Sequence, residues 1–488
     1  MLYRQTLLYL PAQALGPVLQ LVAAVAWTFF LVPEEMGVLA LLASAQELIF
    51  TATLQWFSFY TMRFHEGGTT GAARSRFLDT EAGAMLWASV AASVAVSGLA
   101  LVVDATWTQS LFGAALVYTV SRGVATQLAD RARTEHDWVS YSILQIVWPL
   151  LGLAFGLVLV TLYEASAAAV LWGYAGAQLV ALGAALVRLK MSWRGLAVDR
   201  TALVAGLVYG LPLVAGTVFI WLAANGLRFL VQGLDGAAAV GLMTVGWGLG
   251  QRAAAFAAML VTAAAFPIAM RRAREEGFEM GQAQLVANGV LLIGVLAPVT
   301  AGLWAITGPI VDLFVAAPFR EVTKAVLPLA LLGGALRNLR MHFGEQIFLL
   351  HARPLVPLAN DAFDAVATLG LAAAGHLAGG LEGAVAGAAL GSGASLAVTL
   401  LCGRRAYGFA LPLVPTLKIA LSAAAMAIGV VLLAPGASLL SLGAAVVAGV
   451  LLYAAALAVA WPREAAWVGN RIAAALGLFK TQKEIGAA

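Results

Sequence analysis

Apolar runs of about 20 or more residues recur from one end of the chain to the other, separated by short breaks of charged residues, Gly and Pro. A run of that length crosses roughly 30 Å of hydrocarbon as a helix, which satisfies every backbone donor and acceptor within the segment. The breaks divide the chain into about fourteen spans, roughly 6–32, 38–63, 81–103, 109–130, 139–162, 166–190, 202–232, 238–269, 283–306, 322–350, 354–378, 382–402, 414–434 and 438–461. The pattern predicts an all-α polytopic membrane protein and leaves no room for a large soluble domain. The first run carries Pro11 and Pro17 and passes directly into a second, so it reads as a retained helix rather than a cleaved signal peptide.

The breaks alternate in character. Those after even-numbered spans read RFHEGGTTGAARSR, RAR, RLKMSWR, MRRAR, HAR and GRR, whereas VPEE, VDAT, YEAS and LDGA follow odd-numbered ones. The positive-inside rule then puts about 20 of the 28 Lys and Arg, and both termini, on the cytoplasmic side. Basic loops beside anionic membrane lipid account for the net charge of +4 without a nucleic-acid partner. From Arg463 to Lys483 the chain is too polar to span, but Trp467, Ile472, Leu476 and Phe479 recur near helical spacing opposite Arg471 and Lys480. An interfacial amphipathic helix is expected there.

An internal repeat is visible. LLYLPAQALG (7–16) resembles LVYGLPLVAG (207–216), and PEEMGVLALL (33–42) resembles AAAVGLMTVG (237–246), so spans 1 and 2 match spans 7 and 8. An even offset of six spans gives both copies the same membrane orientation and predicts two six-helix lobes related by a parallel pseudo-twofold axis, with a substrate cavity between them. The expected organisation is a first lobe over 1–200, a second over 201–405, two extra helices over 406–462 and a cytoplasmic tail over 463–488. The extra pair either covers a lipid-facing groove or serves as a structural prop.

Composition agrees with the pattern: 62% of the 488 residues are hydrophobic and 11% charged. The charges that do fall inside spans therefore carry the information. Arg122, Arg228, Arg252, Arg337 and Arg340 each cost a few kcal/mol or more at membrane depth unless they face water or a partner. Counting about 1.5 Å per residue puts Arg122, Arg252 and Arg337 near the midplane and Arg228 nearer the periplasm. Arg337 and Arg340, three apart, share a helix face, as do Asp361 and Asp364. Glu47 and Glu345 complete the acidic set. An ion pair that merely fixes helix packing explains any one of these charges, and Glu345 or a carbonyl suffices for Arg340. The collective sign favours an anionic ligand, since a guanidinium fork binds phosphate oxygens in pairs. Glu47, Asp361, Asp364 and Glu345 are the candidates for coupling to protons or cations.

No HExxH, GxSxG or GxxxxGK[ST] motif occurs, and the single cysteine, Cys402, excludes an intrachain disulfide and a cysteine metal cluster. The five histidines are scattered and offer no metal site. No cofactor is called for, and active transport would draw on an ion gradient, the membrane potential or mass action.

Arg228 to Leu242, RFLVQGLDGAAAVGL, resembles the second-lobe signature of polysaccharide flippases, the Wzx-type members of the MOP superfamily, in which an arginine precedes a short apolar run, Gly and a GAAxVGLY-like helix start. P33EEMGVLALL42 is similar to the GPEEYGLYAL-like start of their second helix, and Phe266 with Pro267 also fits. Two positions depart from the pattern: Leu227 stands where the family often has an acid, and Met243 where a tyrosine is expected. The resemblance implies a non-enzymatic transporter of the bacterial inner membrane. It would carry an undecaprenyl-diphosphate-linked oligosaccharide from the cytoplasmic to the periplasmic leaflet, with a polysaccharide polymerase and a chain-length regulator as partners. Arg122, Arg228, Arg252, Arg337 and Arg340 are then expected to contact substrate. A lipid II flippase is the second reading. A multidrug exporter fits a basic cavity poorly, and a membrane glycan polymerase needs longer catalytic loops than the roughly 15 residues available here.

Overall fold

The computed structural model describes residues 15–16, 18–65, 70–103, 105–189 and 199–464. Among these there is no strand. The helices are α1 (Val18–Trp27), α2 (Pro33–Thr53), α3 (Gln55–Phe64), α4 (Gly71–Leu99), α5 (Gln109–Thr134), α6 (Trp138–Leu162), α7 (Ala167–Leu189) and α8 (Arg200–Glu276). They continue with α9 (Phe278–Ala305), α10 (Thr307–Phe314), α11 (Ala317–Leu350), α12 (Leu355–Tyr407), α13 (Leu413–Leu432) and α14 (Leu439–Ala460).

Local chemistry sets the ends. Pro33 opens α2 with Glu34 and Glu35 in its first turn, where a missing N–H costs nothing and the helix dipole favours negative charge. Thr108 caps α5 through Leu111 N, and Asp137 and Ser438 cap α6 and α14. Ten of the described helices are long and apolar enough to cross a membrane. Two of them are pairs of spans joined end to end: α8 breaks at Gly236 (φ 80°, ψ −179°) and α12 at Gly379–Gly380, the latter residue at φ 58°. Only glycine takes these positive φ values without strain. Both breaks are hairpins. Trp247 Nε1 donates to Ala224 O across the first at 3.1 Å, and across the second a Cβ on Gly387 would stand 2.0 Å from Leu371 O. The polar breaks LDGA and LAGGLEG are thus tight turns.

The chain divides into two compact units. The first holds residues 1–252, 315–333 and 353–395. Within it α5, α6 and α7 pack tightly, and small residues allow the approach: a Cβ on Gly173 would meet Gly156 N at 2.3 Å. The matched segments 33–42 and 237–246 touch reciprocally. Gly37 abuts Ala237 O and Gly241 abuts Pro33 O, and a Cβ added to either glycine would lie 1.9 Å from the opposing oxygen. Corresponding positions thus contact one another as they do across a twofold axis. The other matched pair begins at residue 7, and residues 7–14 lie outside the described residues. So does the expected amphipathic tail from residue 465 onward.

Arg131, which the sequence places in a polar loop, lies instead in the last turn of α5 at 0% exposure, ion-paired with Glu81 of α4, also at 0%. Gln127 Nε2 donates to Glu81 Oε1 at 3.1 Å, Ser58 donates to Gln127 Oε1, and Arg131 Nη2 reaches Leu189 O at 3.2 Å. Such a filled network is what a buried charge pair requires.

The second unit holds residues 253–314, 334–352 and 396–488. Here α13 packs between α9 and α14, with Ile306, Val430, Leu442 and Ala445 as a small core. Tyr453 donates its hydroxyl to Gly294 O at 2.9 Å. An apolar groove of about 460 Å³ runs between these helices, lined by Pro298, Val299, Met426, Val446, Val450 and Tyr453 among others.

Candidate functional site

A cavity of about 310 Å³ lies within the first unit, and helical spacing explains its walls. Ala40, Ser44 and Glu47 of α2 recur at three to four residues, as do Asn225 and Arg228 before the Gly236 turn and Thr244, Gly248 and Arg252 after it. Gln20 and Trp27 of α1, Tyr118 of α5, Trp148 of α6 and Tyr174 of α7 complete the lining. Trp27 Nε1 donates to the Tyr174 hydroxyl at 3.2 Å, and the two rings meet edge to face. The walls are therefore stiff aromatic surfaces with few charges set into them.

Those charges are mainly positive. Arg228 Nη1 donates to Asn225 Oδ1 and, at 3.3 Å, to Ser44 Oγ. Asn225 takes over the place of the acid that the signature leads one to expect before the arginine. Its Nδ2 turns to Glu47 Oε2 at 3.4 Å, so one amide joins the arginine to the carboxylate. Arg252 Nη1 donates to Gln20 O at 3.2 Å. Arg122, one turn beyond Tyr118, stacks on Trp148 with its guanidinium carbon 4.0 Å from the ring centroid. A five-residue π-turn, Ile143–Val147, directly precedes Trp148 in α6. The charges acting on Glu47 are those of Arg228, Arg122 and Arg252, in that order, yet among the described residues none of these guanidiniums makes ion-pair contact with it.

Several donors here have no acceptor among the described residues although they are buried: Arg122 Nη1, Arg228 Nε, Trp148 Nε1 and Thr244 Oγ1. Buried donors left unpaired are costly, and an acceptor-rich group in this cavity would satisfy them.

The structure thus brings Arg228, Arg252 and Glu47 into one lining with Arg122 on its Trp148 wall, and the other sequence candidates are not among the lining residues. Arg340 lies in a second π-turn, Arg340–Gly344, and pairs with Glu345 inside the second unit. Arg337 belongs to the same unit and is buried. Asp361 and Asp364 are buried at the start of α12, where Thr368 Oγ1 lies 3.4 Å from Asp364 Oδ1. Sequence reasoning missed Asn225, Tyr118 and Gln20. The three-residue spacing of Asn225 and Arg228 was the one available signal.

These observations define a polytopic α-helical membrane protein with a cationic, aromatic-walled cavity, and the fold is one used by membrane transporters. Solved transporter structures share it. A structure titled lipid II flippase MurJ, inward closed conformation, aligns with a TM-score of 0.69 at 12% identity over 93% of this chain and 98% of that one. An inward-facing multidrug resistance MATE family transporter of the MOP superfamily aligns with a TM-score of 0.52 at 16% identity over 82% of this chain and 94% of that one. At these identities the likeness is one of fold. No family model matches the chain, and no curated protein matches it.

Proposed function

We propose that the protein is a flippase that moves an undecaprenyl-diphosphate-linked oligosaccharide from the cytoplasmic to the periplasmic leaflet of the bacterial inner membrane for surface polysaccharide synthesis. The observation that carries this reading is the set of buried, unpaired donors on Arg122, Arg228 and Trp148 around a cavity whose net charge is positive. A diphosphate supplies the acceptors and charge that these groups lack, and guanidinium forks suit its oxygens. The aromatic walls suit the faces of sugar rings. Turnover would proceed by alternating access of lobes spanning 1–200 and 201–405. Arg340 and Glu345 serve each other.

A second reading, a lipid II flippase, is favoured by the MurJ-like fold, which covers nearly the whole of both chains. Lipid II shares the diphosphate and the lipid, so the cavity chemistry serves either substrate. Proteoliposomes loaded with fluorescent lipid-linked oligosaccharide or with lipid II distinguish the two. Flipping of the first, abolished by R252A and R228A in protein that still inserts, supports the proposal. Flipping of lipid II alone selects the second reading, and normal flipping by both variants removes the cationic cavity from the mechanism.

A further inference from the structure

Glu47 is an anomaly in this cavity. Two buried acids that pair with arginine are locked in place: Glu81 is wholly buried and bonded to both Arg131 and Gln127, and Glu345 contacts Arg340. Glu47 has three arginines around it and contacts none of them. Among the described residues its one side-chain hydrogen bond is the 3.4 Å approach of Asn225, and its side chain is exposed to the cavity space. A carboxylate held so loosely within a field of guanidiniums is an exchangeable group rather than a structural one.

The charges also balance in a particular way. Among the described residues, Arg228 and Arg252 of the lining and Arg122 on its Trp148 wall bring three positive charges and Glu47 one negative, which leaves two uncompensated. A diphosphate diester carries two negative charges, and a phosphate diester one. Asn225 sits at the exchange point, because its carbonyl accepts from Arg228 while its amide donates to Glu47. An anion that engages Arg228 disturbs both contacts.

We propose that Glu47 is the resident counter-anion of the cavity: it balances the charge of Arg228, Arg122 and Arg252 while the cavity is empty, competes with an incoming diphosphate diester for their field, and so lowers the affinity enough for release. This rests on reading the cavity as an anion site. The register that aligns Gly37 with Gly241 places Gln251 opposite Glu47, so a glutamine already occupies the matching position of the second copy and Glu47→Gln is a conservative change.

The test is calorimetric binding of P1,P2-dimethyl diphosphate, and of dimethyl phosphate for comparison, to the purified full-length chain in nanodiscs at low salt. Removing one like charge from a partly desolvated site is expected to tighten diphosphate binding by E47Q by about tenfold or more. E47D, which keeps the charge, should bind like wild type and provides the comparison if E47Q proves unstable, since N225A, which frees the carboxylate from its one tether, should then weaken binding. Flipping in proteoliposomes should be slower in E47Q despite its tighter binding, a split that a merely structural role would not produce. Unchanged or weaker binding by E47Q, with binding lost in R252A, overturns the counter-anion role and leaves the anion site standing. Wild-type binding that is undetectable, or is unaffected by R252A and R228A, overturns both.

Discussion

A single methyl group at Gly37 should separate two helix starts that now touch through their backbones. A Cβ there would lie 1.9 Å from Ala237 O and 2.8 Å from its carbonyl carbon, and neither atom belongs to a flexible side chain. Ordinary contact begins at 3.4 Å, so the helices must part by about 1.5 Å along that line. Overpacking of this kind costs about 1–3 kcal/mol, which lowers the population of the closed contact by about 5- to 150-fold. Gly241→Ala meets Pro33 O at the same 1.9 Å and should cost the same. The double variant should cost clearly less than the sum, because the gap opened for one methyl admits the other. Thermal unfolding in detergent of G37A, G241A and the pair measures this coupling. Gly183→Ala serves as the control, since no atom lies within 4 Å of its added Cβ, and it should be neutral or slightly stabilising. Single variants as stable as wild type, or two penalties that simply add, would refute the reciprocal backbone contact.

Three further outcomes are expected. Arg131→Met strands the fully buried Glu81 and should destabilise by about 3–5 kcal/mol, whereas E81L/R131M together should recover most of the loss in thermal unfolding. Trp148→Ala removes the surface beneath Arg122 and should weaken diphosphate binding by about 2- to 30-fold, with W148F close to wild type in the same titration. Burial alone would raise the Glu135 carboxyl, but the hydrogen bond from His65 and the charges of Arg131 and Arg74 hold it below the ordinary value of 4.5. A depressed folded value means the stabilisation is present above 4.5 and disappears as pH falls through the folded value, so the gap in melting temperature between wild type and E135Q should be open at pH 7 and close as the pH is taken below 4.5.

Much of the fold was legible along the chain, because the length of an apolar run is a local property and the membrane converts it directly into a helix. The breaks at Gly236 and Gly379–Gly380 fell where the sequence placed turns. The fault at Arg131 has an equally local cause. A short cluster of charges reads as a loop until a fully buried partner such as Glu81 is known, and that partner sits 50 positions away.

The site was legible in composition but not in membership. The sequence by itself determined that a hydrophobic chain carries more arginines than acids at membrane depth, and that segments near residues 33 and 237 repeat one another. Depth counted along one helix is nevertheless blind to the direction each face turns. Arg340 found its acid five residues away on its own helix, a pairing set by local spacing. Arg228, Arg252, Arg122 and Glu47 come from three helices, and no spacing relates them. Only the packing of α2 against the two halves of α8, with Gly37 and Gly241 small enough to let backbones meet, decided that Glu47, Arg228 and Arg252 line one cavity, with Arg122 stacked on its Trp148 wall.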